Sequence, residues 1–152
     1  MDKNANIIPE AIIEQMIKEA KNARNNAYAP YSEFKVGAAL LAADGDNYNI
    51  INGCNIENAA YSPGNCAERT AIFKAVSEGY RDFKAIAIVA GKNDITESYT
   101  SPCGVCRQVL REFVNPKEFV IIMAKSETDY VIKTLEELFP MSFGPSDLDG
   151  GY

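Results

Sequence analysis

Three cysteines and one glutamate stand where chemistry could be done. Cys66-Ala67-Glu68-Arg69 opens one helical pattern, and Pro102-Cys103-Gly104-Val105-Cys106 opens another. A Cys-x-x-Cys at a helix start suits either a redox dithiol or a metal site. The stretch between Cys66 and Cys103 holds one helix, one strand and a loop, a path that in an α/β fold returns the chain to the same edge. Two helix N-termini can then face one another and bring three thiols to one point. Each N-terminus carries roughly half a positive charge and lowers the pKa of a nearby thiol. Three soft ligands suit Zn²⁺, and the fourth, open position for water is the pattern of catalytic zinc. Glu68 is near enough to handle the protons of such a water.

The absence of histidine narrows the choices further. The chain has none, which excludes Ser-His-Asp and Cys-His nucleophilic sites and His-ligated zinc hydrolases. Acid–base work near neutral pH then falls to a carboxylate, a thiol, a lysine, a tyrosine or a metal-bound water.

The elements that must position these groups follow from periodicity. Pro9 suits a first helical turn, and Ile12, Ile13, Met16, Ile17, Ala20 and Ala27 mark an amphipathic helix over about 9–26. Residues 34–42 read as a buried strand, Asp44-Gly45 as a turn and 48–53 as its hairpin partner. Helices are expected at 66–77 and 103–114, strands at 83–90 and 118–124, and a polar loop at 91–101. A short strand at 130–133 and a last helix around 134–139 complete the chain. The order α-β-β-α-β-α-β-(β)-α implies an α/β fold, a three-layer α-β-α sandwich around a mixed sheet of about five strands. No repeat or linker divides residues 1–152, so a single domain is expected, as its length also suggests.

Composition sets the surroundings. Apolar residues at 47% and charged residues at 24% exclude a disordered chain. A net charge of −6 argues against a nucleic-acid partner, because gripping phosphates needs cations. The polar start, Met1 to Pro9, lacks the apolar core of a signal peptide, and no run reaches the roughly 18 apolar residues of a membrane span. A reducing, cytoplasmic location without membrane contact is expected, where clustered cysteines bind metal or do redox chemistry.

The sequence resembles the zinc nucleoside and nucleobase deaminases, and more narrowly the small homotetrameric cytidine deaminases. Cys66-Ala67-Glu68 followed by Pro102-Cys103-x-x-Cys106 matches the family's three-cysteine motif. Stretches independent of the motif match as well: Ala29-Pro30-Tyr31-Ser32-x-Phe34-x-Val36-Gly37, Gly53-Cys54-Asn55-Ile56-Glu57-Asn58-Ala59-Ala60-Tyr61 and Leu138-Phe139-Pro140-x-x-Phe143. The match runs over about 25–145.

This resemblance implies one zinc per chain, held by Cys66, Cys103 and Cys106, with its water adding to C4 of cytosine. Glu68 would take a proton from that water and pass it to N3, and would later protonate the leaving amine, releasing uridine or deoxyuridine and ammonia for pyrimidine salvage. Arg69 would draw charge from the ligand sulfurs and so offset three negative thiolates. Asn55 and Glu57 would take the ribose hydroxyls. Phe34 would flank the base, the Ala67 N–H would bind its carbonyl, and the Ser101 carbonyl would receive the amine. Tyr61 and Phe143 would arrive from neighbouring subunits of the homotetramer.

Plainer readings stand beside these. Glu57 alone is a solvated loop residue, Phe34 a strand-core aromatic, Cys54 an inert buried thiol, and Arg107 and Gln108 supports for helix and subunit packing. The rival functions are a dithiol redox protein and a zinc deaminase of a cytosine-containing antibiotic or other nucleoside analogue.

Overall fold

Residues 8–92 and 96–148 are described by the structure, a computed structural model. The order is α1 (Glu10–Arg24), β1 (Phe34–Asp44), β2 (Asn47–Cys54), α2 (Ala67–Ser77), β3 (Phe83–Lys92), α3 (Gly104–Phe113), β4 (Val120–Ser126), β5 (Asp129–Thr134) and α4 (Leu135–Leu138). Every expected element is present. Within the polar loop expected at 91–101, residues 93–95 lie outside the described residues, as do 1–7 and 149–152 of the expected single domain. Pro9 stands one position before α1 rather than inside its first turn, and its carbonyl accepts the Ile12 and Ile13 N–H groups. The helix ends at Arg24, where Asn25 and Asn26 begin a turn.

The sheet order is β2-β1-β3-β4-β5. Strand β1 runs antiparallel to both β2 and β3, β3 is parallel to β4, and β4 is antiparallel to β5. The parallel step needs a crossover, and α3 supplies it. Alternation along the strands separates two cores. Ala39, Leu41, Ala85, Ala87, Val89 and Ile122 face α1. Ala38, Leu40, Ile86, Ile88, Ile121 and Met123 face the other way, toward Ala71, Ile72 and Ala75 of α2 and Leu110 of α3. This is the α-β-α sandwich. Met16 and Ile17 of α1 are fully buried, and each contributes about 1.5–3 kcal/mol. Among the described residues, no helix is long and apolar enough to cross a membrane.

Register decides where the site lies. Gly37 of β1 pairs with Cys54 at the end of β2, and Phe34 pairs with Lys92 at the end of β3. The start of β1 and the carboxyl ends of β2 and β3 therefore share one end of the sheet. The chain leaves β2 and β3 at that end to begin α2 and α3, the usual place for a ligand in an open α/β sheet.

Close packing of helix on strand depends on two glycines. A Cβ on Gly37 would lie 1.9 Å from the Ala20 carbonyl oxygen of α1. One on Gly53 would lie 2.5 Å from the Ala71 nitrogen and 2.6 Å from the Ala67 oxygen of α2. Both obstacles are backbone and have no rotamer to yield. Gly53→Ala is expected to destabilise the fold by about 1–3 kcal/mol and to lower zinc retention, because α2 must move and carries Cys66 and Glu68. Urea unfolding and metal analysis check this, and an unchanged midpoint would refute it.

Candidate active site and metal centre

Cys66 and Cys103 occupy the cap positions of α2 and α3, and Cys106 lies in the first turn of α3. The Cys66 and Cys103 sulfurs are 3.9 Å apart, those of Cys103 and Cys106 are 3.5 Å apart, and all three lie within 4.8 Å of one another. Sulfurs at two corners of a tetrahedron, each about 2.3 Å from a central zinc, are about 3.8 Å apart. The trio fits that geometry, and the donor set suits a soft metal. Cys106 is buried, Cys66 half-buried and Cys103 exposed, so the cluster has a floor and an open side.

The charges are arranged for it. Hydrogen bonding with Cys106, followed by that from Arg69, brings the Cys66 thiol down to about 5. The same shared proton, together with burial, pushes Cys106 up. The thiolate is thus favoured at Cys66, while Cys106 holds its proton until a metal enters, so uptake releases a proton. The Arg69 Nη2 donates to the Cys66 sulfur at 3.3 Å, and its buried Nε has no hydrogen-bond partner among the described residues. Glu68, on the first turn of α2, is only 4% exposed. Burial first, and the Cys66 thiolate in addition, push its carboxyl up to about 7.

A cavity of about 550 Å³ opens onto this floor, with Phe34, Asn55, Glu57, Tyr61, Cys66, Glu68, Arg69, Ser101 and Cys103 in its wall. Ala67 is buried between Cys66 and Glu68. Phe143 lies outside the wall, 60% exposed, with its carbonyl held by the Gln108 Nε2 at 3.1 Å. Tyr61 lines the cavity of its own chain, where a neighbour's contribution was expected. The loop turns back there through Tyr61 N–H to Asn58 oxygen (2.9 Å) and Gly64 N–H to Tyr61 oxygen (3.0 Å). This holds Tyr61 at φ +53, 81% exposed.

Asn55 continues the β1–β2 pairing past the end of β2. Its Oδ1 accepts the Val36 N–H at 2.8 Å and its Nδ2 donates to the Phe34 oxygen at 2.8 Å. One amide N–H is left for a ligand. Glu57 accepts the Tyr31 N–H at 2.9 Å, the Ser32 N–H at 3.2 Å and the Ser32 hydroxyl. These donors, the hydroxyl foremost, hold its carboxyl below the usual range.

The loop before α3 is fixed from two sides. Arg107 donates to Ser101 Oγ at 3.2 Å, to the Pro102 oxygen at 2.8 Å and to the Leu138 oxygen. Thr96 and Tyr99 bond to Lys125 and Asp129 on the β4–β5 side. Arg107 therefore does more than support its helix, and Ser32 and Thr100 join the cavity without having been expected there. A signal for Arg107 existed: helix side chains lean toward the N-terminus, so an arginine just after Cys106 reaches back over the loop.

Residues 11–123 match the family profile described as the cytidine and deoxycytidylate deaminase zinc-binding region. The chain belongs to that family. A cytidine deaminase of Sporosarcina psychrophila is 52% identical over 136 residues, covering 90% of this chain and 94% of that protein. One from Halalkalibacterium halodurans is 48% identical over 136 residues, covering 90% and 97%. The crystal structure of cytidine deaminase from Burkholderia pseudomallei superposes with a TM-score of 0.75 at 44% identity, covering 85% of this chain and 97% of that one. Family membership and the third sulfur beside Cys103 and Cys106 weigh against a dithiol redox role, and the analogue-deaminase alternative is not favoured either.

Proposed function

We propose that this chain, acting as one domain, is a zinc-dependent deaminase that hydrolyses cytidine and deoxycytidine to uridine and deoxyuridine with loss of ammonia. The observation that carries this is the convergence of three sulfurs at the cavity, Cys66 and Cys103 in its wall with Cys106 buried behind them, beside the buried carboxyl of Glu68. Zinc, when bound by Cys66, Cys103 and Cys106, supplies the Lewis acidity that makes water nucleophilic near neutral pH.

The chain's own groups do the rest. Glu68 takes one proton as water adds to C4 and delivers it to N3. It then takes the proton of the new C4 hydroxyl and gives it to the amine, which leaves as ammonia as the C4 carbonyl forms. The burial of Glu68, which brings its carboxyl to about 7, suits both directions of transfer. Arg69 draws charge from the Cys66 sulfur and keeps the centre electrophilic. Phe34 flanks the pyrimidine, the Ala67 N–H binds its carbonyl and the Ser101 carbonyl receives the amine. The spare N–H of Asn55 and the carboxylate of Glu57 take sugar hydroxyls.

In this reading the chain works as a homotetramer, which the exposure of Phe143 away from its own cavity supports, because that ring would be free to complete a neighbour's site. Three thiols kept ready for metal suit the reducing cytoplasm, and salvage of pyrimidine nucleosides is the role that fits the reaction. The test follows the ultraviolet loss of cytidine, deoxycytidine and free cytosine by zinc-loaded protein. Both nucleosides should turn over, and cytosine should trail by roughly a thousandfold in kcat/KM, because polar groups built for the sugar would be left unpaired. No turnover of either nucleoside would reject the proposal.

A further inference from the structure

Ser32 is exposed and has no packing duty, yet its hydroxyl is engaged in both directions. It accepts the Phe34 N–H at 3.1 Å and donates to Glu57 Oε1. The turn that presents it is a strained one. Glu33 N–H closes onto the Ala29 oxygen at 3.0 Å, and Glu33 sits at φ +58, a region costly for a residue with a side chain. That turn sends the N–H groups of Tyr31 and Ser32 together onto Glu57 Oε2, at 2.9 and 3.2 Å.

Counting acceptor sites gives the consequence. A carboxylate has about four lone-pair directions. Two on Oε2 are filled by backbone and one on Oε1 by the Ser32 hydroxyl, so a single direction on Oε1 is left. A carboxylate so tied is an acceptor with one fixed aim, complementary to one hydroxyl donor. Because Ser32 also bonds the backbone of Phe34, the same hydroxyl fixes the carboxylate relative to the aromatic ring in the cavity wall.

We propose that Ser32 is a positioning residue that aims the Glu57 carboxylate at a sugar hydroxyl and so sets the preference of this site for nucleosides carrying that hydroxyl. This rests on the placement of Glu57 at the sugar under the proposed function. Its effect is on binding common to ground and transition states, so it belongs in KM rather than kcat.

The test uses zinc-loaded wild type, Ser32→Ala, Ser32→Thr and Glu57→Gln. For each, KM and kcat are measured for cytidine, along with the inhibition constant of 2′,3′-dideoxycytidine, a probe with neither hydroxyl. Ser32→Ala should raise KM for cytidine about tenfold, the loss of one hydrogen bond to a charged group. It should alter kcat less than about twofold and leave the dideoxy probe's constant unchanged, and Ser32→Thr, which keeps the hydroxyl, should restore KM. An unchanged KM in Ser32→Ala beside a raised KM in Glu57→Gln would overturn the role of Ser32 and spare that of Glu57. Equal weakening of cytidine and the dideoxy probe would show a damaged loop and overturn the proposal as well. Normal KM in Glu57→Gln would mean that the carboxylate is not at the sugar, and both readings would fall.

Discussion

Replacing Glu68 with glutamine is expected to cut kcat on cytidine by about a thousandfold while zinc stays at about one per chain. General acid–base groups contribute roughly 10²–10⁴ in rate, and a residue serving both N3 and the leaving amine belongs in the upper part of that range. Glutamine keeps the size and can still hydrogen-bond, but it cannot exchange a proton. KM should therefore move only a few-fold. Stability should move the other way. Glu68 is 4% exposed, and burial raises its carboxyl to about 7, so the fold bears a cost for every ionised copy that a neutral amide removes. An unchanged or higher Tm beside a collapsed kcat would mark a group kept for chemistry at the expense of stability. Steady-state kinetics, metal analysis and a melting curve check this together. A kcat within tenfold of wild type in a zinc-loaded variant would remove Glu68 from the mechanism.

Much of this arrangement was legible because a few residue types admit few uses. With no histidine in the chain, thiols and a carboxylate were the natural candidates, and helix starts at Cys66 and Cys103 followed from the apolar pattern behind them. The layers were legible too, since period-two alternation assigns each strand residue to a face. Strand neighbours were not. Periodicity sends alternate residues of β1 to its two buried faces, but does not say that β1 lies between β2 and β3 and runs antiparallel to both. Side-chain bonds to distant backbone were also out of reach. Asn55 bridges Phe34 and Val36 only because β2 ends one residue earlier. Ser32 meets Glu57 across 25 positions of sequence, and nothing in a serine's neighbours announces such a partner. The reversal of the 58–64 loop that sets Tyr61 in the wall of its own chain's cavity is likewise a matter of backbone hydrogen bonds, which composition does not encode.

Cys106→Ala should have the other large effect, and on a different observable. Cys106 is the fully buried member of the trio, 3.5 Å from the Cys103 sulfur at the floor of the cavity. Without it, two cap-position thiols remain, too few for the closed side of a tetrahedral zinc site. Zinc should fall below about 0.1 per chain after dialysis, and turnover should fall by at least about a thousandfold, since Lewis acidity and the nucleophile disappear together. Stability follows by mass action: a ligand at about a thousand times its Kd adds about 4 kcal/mol to the folded state. A chelator should therefore lower the Tm of wild type and leave that of Cys106→Ala unmoved. Cys54→Ala is the matched control. Cys54 ends β2 opposite Gly37, outside the trio, and burial raises its thiol pKa, so its removal should spare both zinc and turnover. Stoichiometric zinc in Cys106→Ala, or its loss in Cys54→Ala, would mean that the metal sits elsewhere than among these three sulfurs.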